Sequence, residues 1–143
     1  MAAVEPDRLR PKIHHIRERL RRLREIEGGG WERFEGDPLL QDAAVRNLQT
    51  SIEAVLDMAN HIVARGGLGT PVSYRETIEL MVEAGVLPHE RAGAFRAMVS
   101  FRNRAVHLYD EIDAEEVYAI LENDLGDFEV FIAAIVERYL GEE

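Results

Sequence analysis

Wherever this sequence is regular, apolar residues recur at the helical period, and no stretch of useful length alternates apolar with polar residues as a strand does. Such a chain can bury itself only by packing helix on helix. The two longest stripes are Leu48, Ile52, Val55, Leu56, Ala59, Ile62, Val63 and Val117, Ile120, Leu121, Leu125, Phe128, Phe131, Ile132, Ile135, Val136, Tyr139. Each covers one face of an amphipathic helix, and the two are expected to pack on one another. A third stripe, Ile13, Ile16, Leu20, Leu23 and Ile26, marks a first helix over about Asp7 to Glu27.

The punctuation between stripes is equally plain. Gly28-Gly29-Gly30 ends the first helix, and a loop carrying Trp31 and Phe34 follows. Asp37-Pro38 then supplies an N-cap and a first-turn proline for a long helix to about Arg65, where Gly66-Gly67 stops it. Ser73 with Glu76 is a capping-box pattern for a short third helix ending near Gly85, and Pro88 opens a fourth. Asp113 and Glu116, flanked by Ile112 and Val117, open the last. The expected fold is all-α, an antiparallel up-and-down bundle of about five helices. At 143 residues the chain is expected to form one domain, 1–143, around a single core.

One stretch breaks its own pattern. Phe95, Met98 and Val99 set an apolar stripe whose next position is Arg102, a charge where a core residue belongs. Arg102 opens the run Arg102-Asn103-Arg104-Ala105-Val106-His107-Leu108-Tyr109, which puts a cation, an amide, an imidazole and a phenol on about two helical turns. Asn103 and His107 share a face, while Arg102 and His107 lie roughly 140° apart around the axis, so both can border one cleft. That set of side chains suits phosphodiester chemistry. Taken alone, each residue also has a structural reading. His107 could cap the fourth helix's carbonyls. Arg102 could pair with Asp57 or Glu53 on the long helix. Asn103 is suited to orienting a neighbour rather than touching substrate, and an isolated Tyr109 reads as a boundary residue.

The net charge of −10 argues mildly against a general nucleic-acid coat, because phosphate backbones are held mainly by Lys and Arg. The charge is unevenly placed. Seven arginines and Lys12 lie between Arg8 and Arg24, whereas Asp110 to Glu143 holds twelve acids and one arginine, Arg138. The first and last helices are therefore expected to be solvated and complementary, a pattern that would allow pairing across the bundle, with a dedicated RNA-binding first helix as the other option. A local basic site around Arg96, Arg102 and Arg104 is compatible with the total. No apolar run approaches the roughly 18 residues a membrane span needs, and Met1 to Arg24 has no apolar signal core, so the cytoplasm is the expected location. Cysteine is absent, and His14-His15, His61 and His89 have no ligand-like spacing to Asp or Glu, so no metal and no cofactor is expected. Gly66-Gly67-Leu68-Gly69-Thr70 lacks the strand before it and the Gly-Lys-Ser/Thr after it that a phosphate loop requires.

The helix order, with Arg-Asn-x-x-x-His-x-Tyr at the end of the fourth helix before an acidic turn and a long last helix, resembles the HEPN superfamily (higher eukaryotes and prokaryotes nucleotide-binding). More narrowly it resembles HepT, the toxin of HEPN/MNT toxin-antitoxin systems. The likeness spans nearly the whole chain, with Arg46 to His61, Ser73 to Gly85 and Phe101 to Asp113 carrying most of it. It implies a metal-independent endoribonuclease in which Arg102 and His107 are catalytic and Asn103 supports them. It also implies a homodimer with a composite site, RNA as substrate, and a cognate MNT nucleotidyltransferase antitoxin that silences the toxin by attaching AMP to Tyr109. The chemistry is consistent. Cleavage through RNA's own 2′-hydroxyl needs two proton transfers and a cation at the phosphorane, and a motif with one histidine favours two copies of it at a two-fold axis. The competing reading is a non-catalytic HEPN module, a nucleotide-binding helper or dimeric scaffold for a nucleotidyltransferase. The charge on the apolar stripe counts against it, since a scaffold has no need of Arg102 there.

Overall fold

The computed structural model describes residues 3–141, and these are helical with no strand. α1 spans Pro6–Gly28 and buries Leu9, Ile13, Ile16, Leu20 and Leu23. A single turn follows, α2 (Trp31–Glu35), which drives Phe34 into the core. Its Trp31 and Phe34 rings meet Tyr118 at 5.5 Å and 5.3 Å between centroids. The loop expected here is thus a packed turn, built because two aromatic rings in four residues have a place to go.

The long helix is α3 (Pro38–Arg65), opened as expected by Asp37, whose carboxylate accepts the Leu40 N–H at 3.1 Å. It buries twelve residues and is the central pillar, touching α1, α2, α4 (Tyr74–Glu83), α5 (Ala92–His107) and α6 (Ala114–Asn123). Ser73 caps α4 by accepting the Glu76 N–H at 3.1 Å. Gly85, at φ +77°, ends it, and the left-handed turn lets the Val86 N–H reach the Met81 carbonyl at 3.0 Å. Pro88 opens a single 3₁₀ turn, His89–Arg91, from which α5 continues.

The last helix differs from its expected form. It is two helices, α6 and α7 (Gly126–Ile135), the latter running into a π-helical turn, Val136–Leu140. At the seam the ladder tightens to i→i−3 bonds, Asp127 to Asp124 at 3.0 Å and Phe128 to Leu125 at 3.2 Å. Asn123, Asp124 and Gly126 are all poor helix formers, so the apolar stripe continues through a backbone that does not. The break lets one stripe serve two partners. α6 packs on α1, α2 and α3, while Phe131 of α7 meets Phe95 of α5 edge-on at 6.0 Å.

The ion pairs correct the charge expectation. Among the described residues none joins α1 to α6 or α7. Lys12 bonds Asp57 on α3 at 2.9 Å, Arg91 takes Asp127, and Arg104 takes Glu116. Two of the C-terminal acids, Asp127 and Glu116, are thus met by arginines from the middle of the chain, because the chain folds those arginines beside them and leaves α1 against α3. No helix is long and apolar enough to cross a membrane.

Candidate active site

α5 runs antiparallel to α3, and two side-chain contacts fix the pairing. Arg102 Nε donates to Glu53 Oε2 at 3.2 Å, and two turns further on the Tyr109 hydroxyl donates to Asp42. Glu53 and Asp42 are eleven residues apart, three helical turns, so one stripe of α3 carries both anchors. Arg102 and Tyr109, at the two ends of the motif, are therefore both anchored to one polar stripe of the central helix.

Arg102 is held from three sides. Glu53 takes its Nε and is itself braced by Gln49 Nε2 at 3.3 Å. The Tyr74 ring lies under the guanidinium, 5.1 Å from Cζ to centroid, and Asn103 Oδ1 accepts from Nη1 at 3.3 Å. These contacts occupy two of the five guanidinium N–H groups and leave both hydrogens on Nη2 and one on Nη1 for an oxyanion. The Arg102 side chain keeps 19% of its surface exposed, enough for such an anion to reach it. Glu53, not Asp57, is its acidic partner. Asp57 lies a turn further along and is taken by Lys12.

His107 is the last residue of α5 and is exposed. Its ring makes no hydrogen bond and no ion pair among the described residues. The capping role is filled by backbone instead, the Leu108 N–H reaching the Arg104 carbonyl at 2.7 Å. An imidazole with both nitrogens open is available for proton transfer.

Tyr109 begins a 3₁₀ turn, Tyr109–Glu111. Its phenol is pushed up to about 12, first by burial and then by the bond to Asp42, the Asp42 charge and Asp110. The turn is clipped from behind. Arg104 and Glu116 meet through two N–H···O bonds, one of 3.0 Å, and Asp113 accepts the Glu116 N–H at 2.8 Å. Arg104 is held more firmly cationic by this bond, its acidity opposed by Glu116.

The local basic site that the charge total left open around Arg96, Arg102 and Arg104 does not form as a cluster. Arg96 is closed by both oxygens of Glu79, at 2.5 Å and 2.9 Å, and Arg104 by Glu116. Asp42 and Gln49 escape sequence reasoning, although their positions on Glu53's stripe were a usable signal. Tyr74 carried none. Around the motif lie Val106, Leu108 and Tyr109, each exposed by two-fifths or more, and Leu39 at 81%, one turn from Asp42. This is an apolar rim on a polar site.

The family profile "Ribonuclease HepT-like" matches residues 16–135. A curated relative, "mRNA nuclease HepT" of Shewanella oneidensis, is 36% identical over 124 residues, which cover 87% of this chain and 92% of the relative. The "tRNA nuclease HepT" of Aphanizomenon flos-aquae is 26% identical over 138 residues, or 94% of this chain and 92% of that one. Among solved structures, a tri-AMPylated Shewanella oneidensis HEPN toxin in complex with an MNT antitoxin superposes with a TM-score of 0.87 at 34% identity, covering 94% of this chain and 100% of the other.

Proposed function

The chain belongs to the HepT-like ribonuclease family, and we propose that it is the toxin of a toxin-antitoxin pair, a metal-independent RNA endonuclease whose catalytic residues are Arg102 and His107. The observation that carries this reading is that the Arg102 guanidinium is fixed at Nε and free at Nη2, on the same helix as His107, an exposed imidazole without a hydrogen-bond partner among the described residues. In the reaction, the substrate's 2′-oxygen attacks the adjacent phosphorus and the P–O5′ bond breaks. A 2′,3′-cyclic phosphate forms on one fragment and a 5′-hydroxyl on the other. One imidazole removes the 2′-proton and a second protonates the leaving oxygen, each step of a kind that contributes about 10²–10⁴-fold. Arg102 stabilises the charge on the phosphorane through its free N–H groups, and Asn103 steadies Arg102.

Two imidazoles require two copies of the motif. The apolar rim of Leu39, Val106 and Leu108 supports a homodimer across this face, which brings a second His107 to the cleft. The protein acts in the cytoplasm, as one domain over residues 1–143. Its partner is an MNT nucleotidyltransferase antitoxin, which attaches AMP to Tyr109. The relative in complex with such an antitoxin is AMPylated. A bulky anion on Tyr109, two residues from His107, repels an RNA phosphate and fills the cleft.

Incubation with total cellular RNA in the presence of a chelator tests the reading. The expected products carry cyclic phosphates and 5′-hydroxyls and are lost in His107→Ala and in Arg102→Ala, with helicity and dimerisation retained. Cleavage that persists in both variants overturns it.

A further inference from the structure

The fold pairs only part of the basic face of α1. Lys12, His15, Arg19 and Arg22 are spaced three, four and three residues apart, so they form one stripe of α1 about 15 Å long at 1.5 Å per residue. Two of the C-terminal acids expected to neutralise this helix, Asp127 and Glu116, pair elsewhere. Lys12 is spent on Asp57, but neither Arg19 nor Arg22 makes an ion pair among the described residues. Arg19 Nε is buried without a hydrogen-bond acceptor, so nothing on the protein engages this guanidinium through that nitrogen.

The stripe is joined to the motif. Lys12 and His15 line a groove whose opposite wall on α3 is Thr50, Glu53 and Asp57. Glu53 is also the carboxylate that holds Arg102, so one wall of the groove is shared with the motif. Its two acids are already matched, Asp57 by Lys12 and Glu53 by Arg102, and the residual field is positive. His15 senses that field. Its pKa is lowered, chiefly by burial and then by Arg19, Lys12 and Arg22, while a backbone bond to Thr50 opposes the shift. A neutral imidazole there can donate to or accept from a sugar hydroxyl.

We propose that the groove between α1 and α3, with Arg19 and Arg22 at its edge, is a subsite for single-stranded RNA that holds the backbone on one side of the scissile phosphate. The proposal rests on the ribonuclease reading above. On a chain of net charge −10, a short positive stripe focuses an anionic strand that the rest of the surface repels.

The test is fluorescence anisotropy with a labelled oligonucleotide of about twelve nucleotides, fully 2′-O-methylated so that it cannot be cut, across a salt series. Each phosphate contact on a single strand contributes about −0.7 to the slope of log K against log salt. Arg22→Gln is expected to flatten the slope by about 0.7 and Arg19→Gln/Arg22→Gln by about 1.4, with a loss of roughly tenfold in affinity for the double variant at low salt. Arg138→Gln, at the far end of the chain, keeps the wild-type slope. Arg22 is exposed, so its variant reports even where Arg19→Gln disturbs α1. Wild-type affinity and slope in the double variant overturn the subsite while wild-type cleavage of RNA leaves the ribonuclease reading intact. A wild-type protein that neither binds the oligonucleotide nor cuts RNA overturns both.

Discussion

Glu53 Oε2 lies 3.2 Å from Arg102 Nε and is itself bonded by Gln49, so the Arg102 guanidinium is aimed by a carboxylate on a different helix. Glu53→Ala removes the brace and leaves Arg102 to the Tyr74 ring and Asn103. The expected result is a kcat reduced by about 10–100-fold with a smaller change in KM, since misplacement of a transition-state cation by about 1 Å costs on that order. Stability should change by less than about 1 kcal/mol, because both side chains are partly exposed. Glu53→Gln, which can still accept from Nε, should recover part of kcat. Steady-state cleavage of a defined RNA alongside thermal melting checks this, and an unchanged kcat in Glu53→Ala denies Glu53 its positioning role.

The Tyr109 phenol, raised to about 12 from 10.0, gives a titration that isolates one bond. The folded pKa lies above the unfolded one, so the neutral phenol's contribution to stability is complete below about pH 10 and is lost as pH rises through about 12. Absorbance titration should show late-ionising tyrosine, to which Tyr118 also contributes through its burial. In Asp42→Asn the Tyr109 part should move partway back toward 10, since burial, the largest cause, remains. No difference between the two proteins would place the Tyr109 hydroxyl off Asp42.

Because the Tyr109 hydroxyl is bonded to Asp42 and not to Arg102 or His107, catalysis should tolerate its loss. Tyr109→Phe is expected to cut RNA within about threefold of the wild-type rate, a change under about 1 kcal/mol in barrier, and to be refractory to silencing. Incubation with the cognate nucleotidyltransferase and ATP should add one AMP or more to the wild type and none at this position in the variant, read by intact mass and peptide mapping. Adducts confined to other residues would remove Tyr109 from the regulatory scheme.

Local signals carried much of this architecture and distance defeated the rest. Asp37, Ser73 and Asp113 cap their helices as their spacing to Leu40, Glu76 and Glu116 demands, because capping is decided within four residues. The misplaced charge at Arg102 was likewise visible as an interruption of its own stripe. The seam at Asp124–Leu125 was hidden because the apolar stripe runs through it unbroken, and only the backbone changes. The pairing of charges failed as an expectation for a different reason. Composition says that α1 is basic and the C-terminal third acidic, but which arginine meets Glu116 or Asp127 depends on helix order in space, and Arg104 and Arg91 are nearer. Asp42 and Tyr74 belong to the site through contacts that span 67 residues in sequence for Tyr109–Asp42 and a helix crossing for Tyr74–Arg102.

Arg104 and Glu116 tie the end of α5 to the start of α6, and the segment they enclose carries His107 and Tyr109. The clip acts on geometry and not on chemistry, as Arg104 spends its guanidinium on the carboxylate and over the Phe101 ring, 5.9 Å from Cζ to centroid. Glu116→Ala should therefore loosen residues 108–113 without altering the helices that flank them. The expected signature is faster amide exchange and earlier proteolysis within 108–113, a stability loss of about 1 kcal/mol for a partly buried bidentate pair, and a fall in kcat that Glu116→Gln repairs only in part. Arg104→Ala should reproduce all three effects, and the double variant should add little to either, since both remove the same bond. Additive losses would mean that Arg104 also serves the reaction directly, as a second cation at the phosphate, and that Glu116 restrains it rather than being held by it.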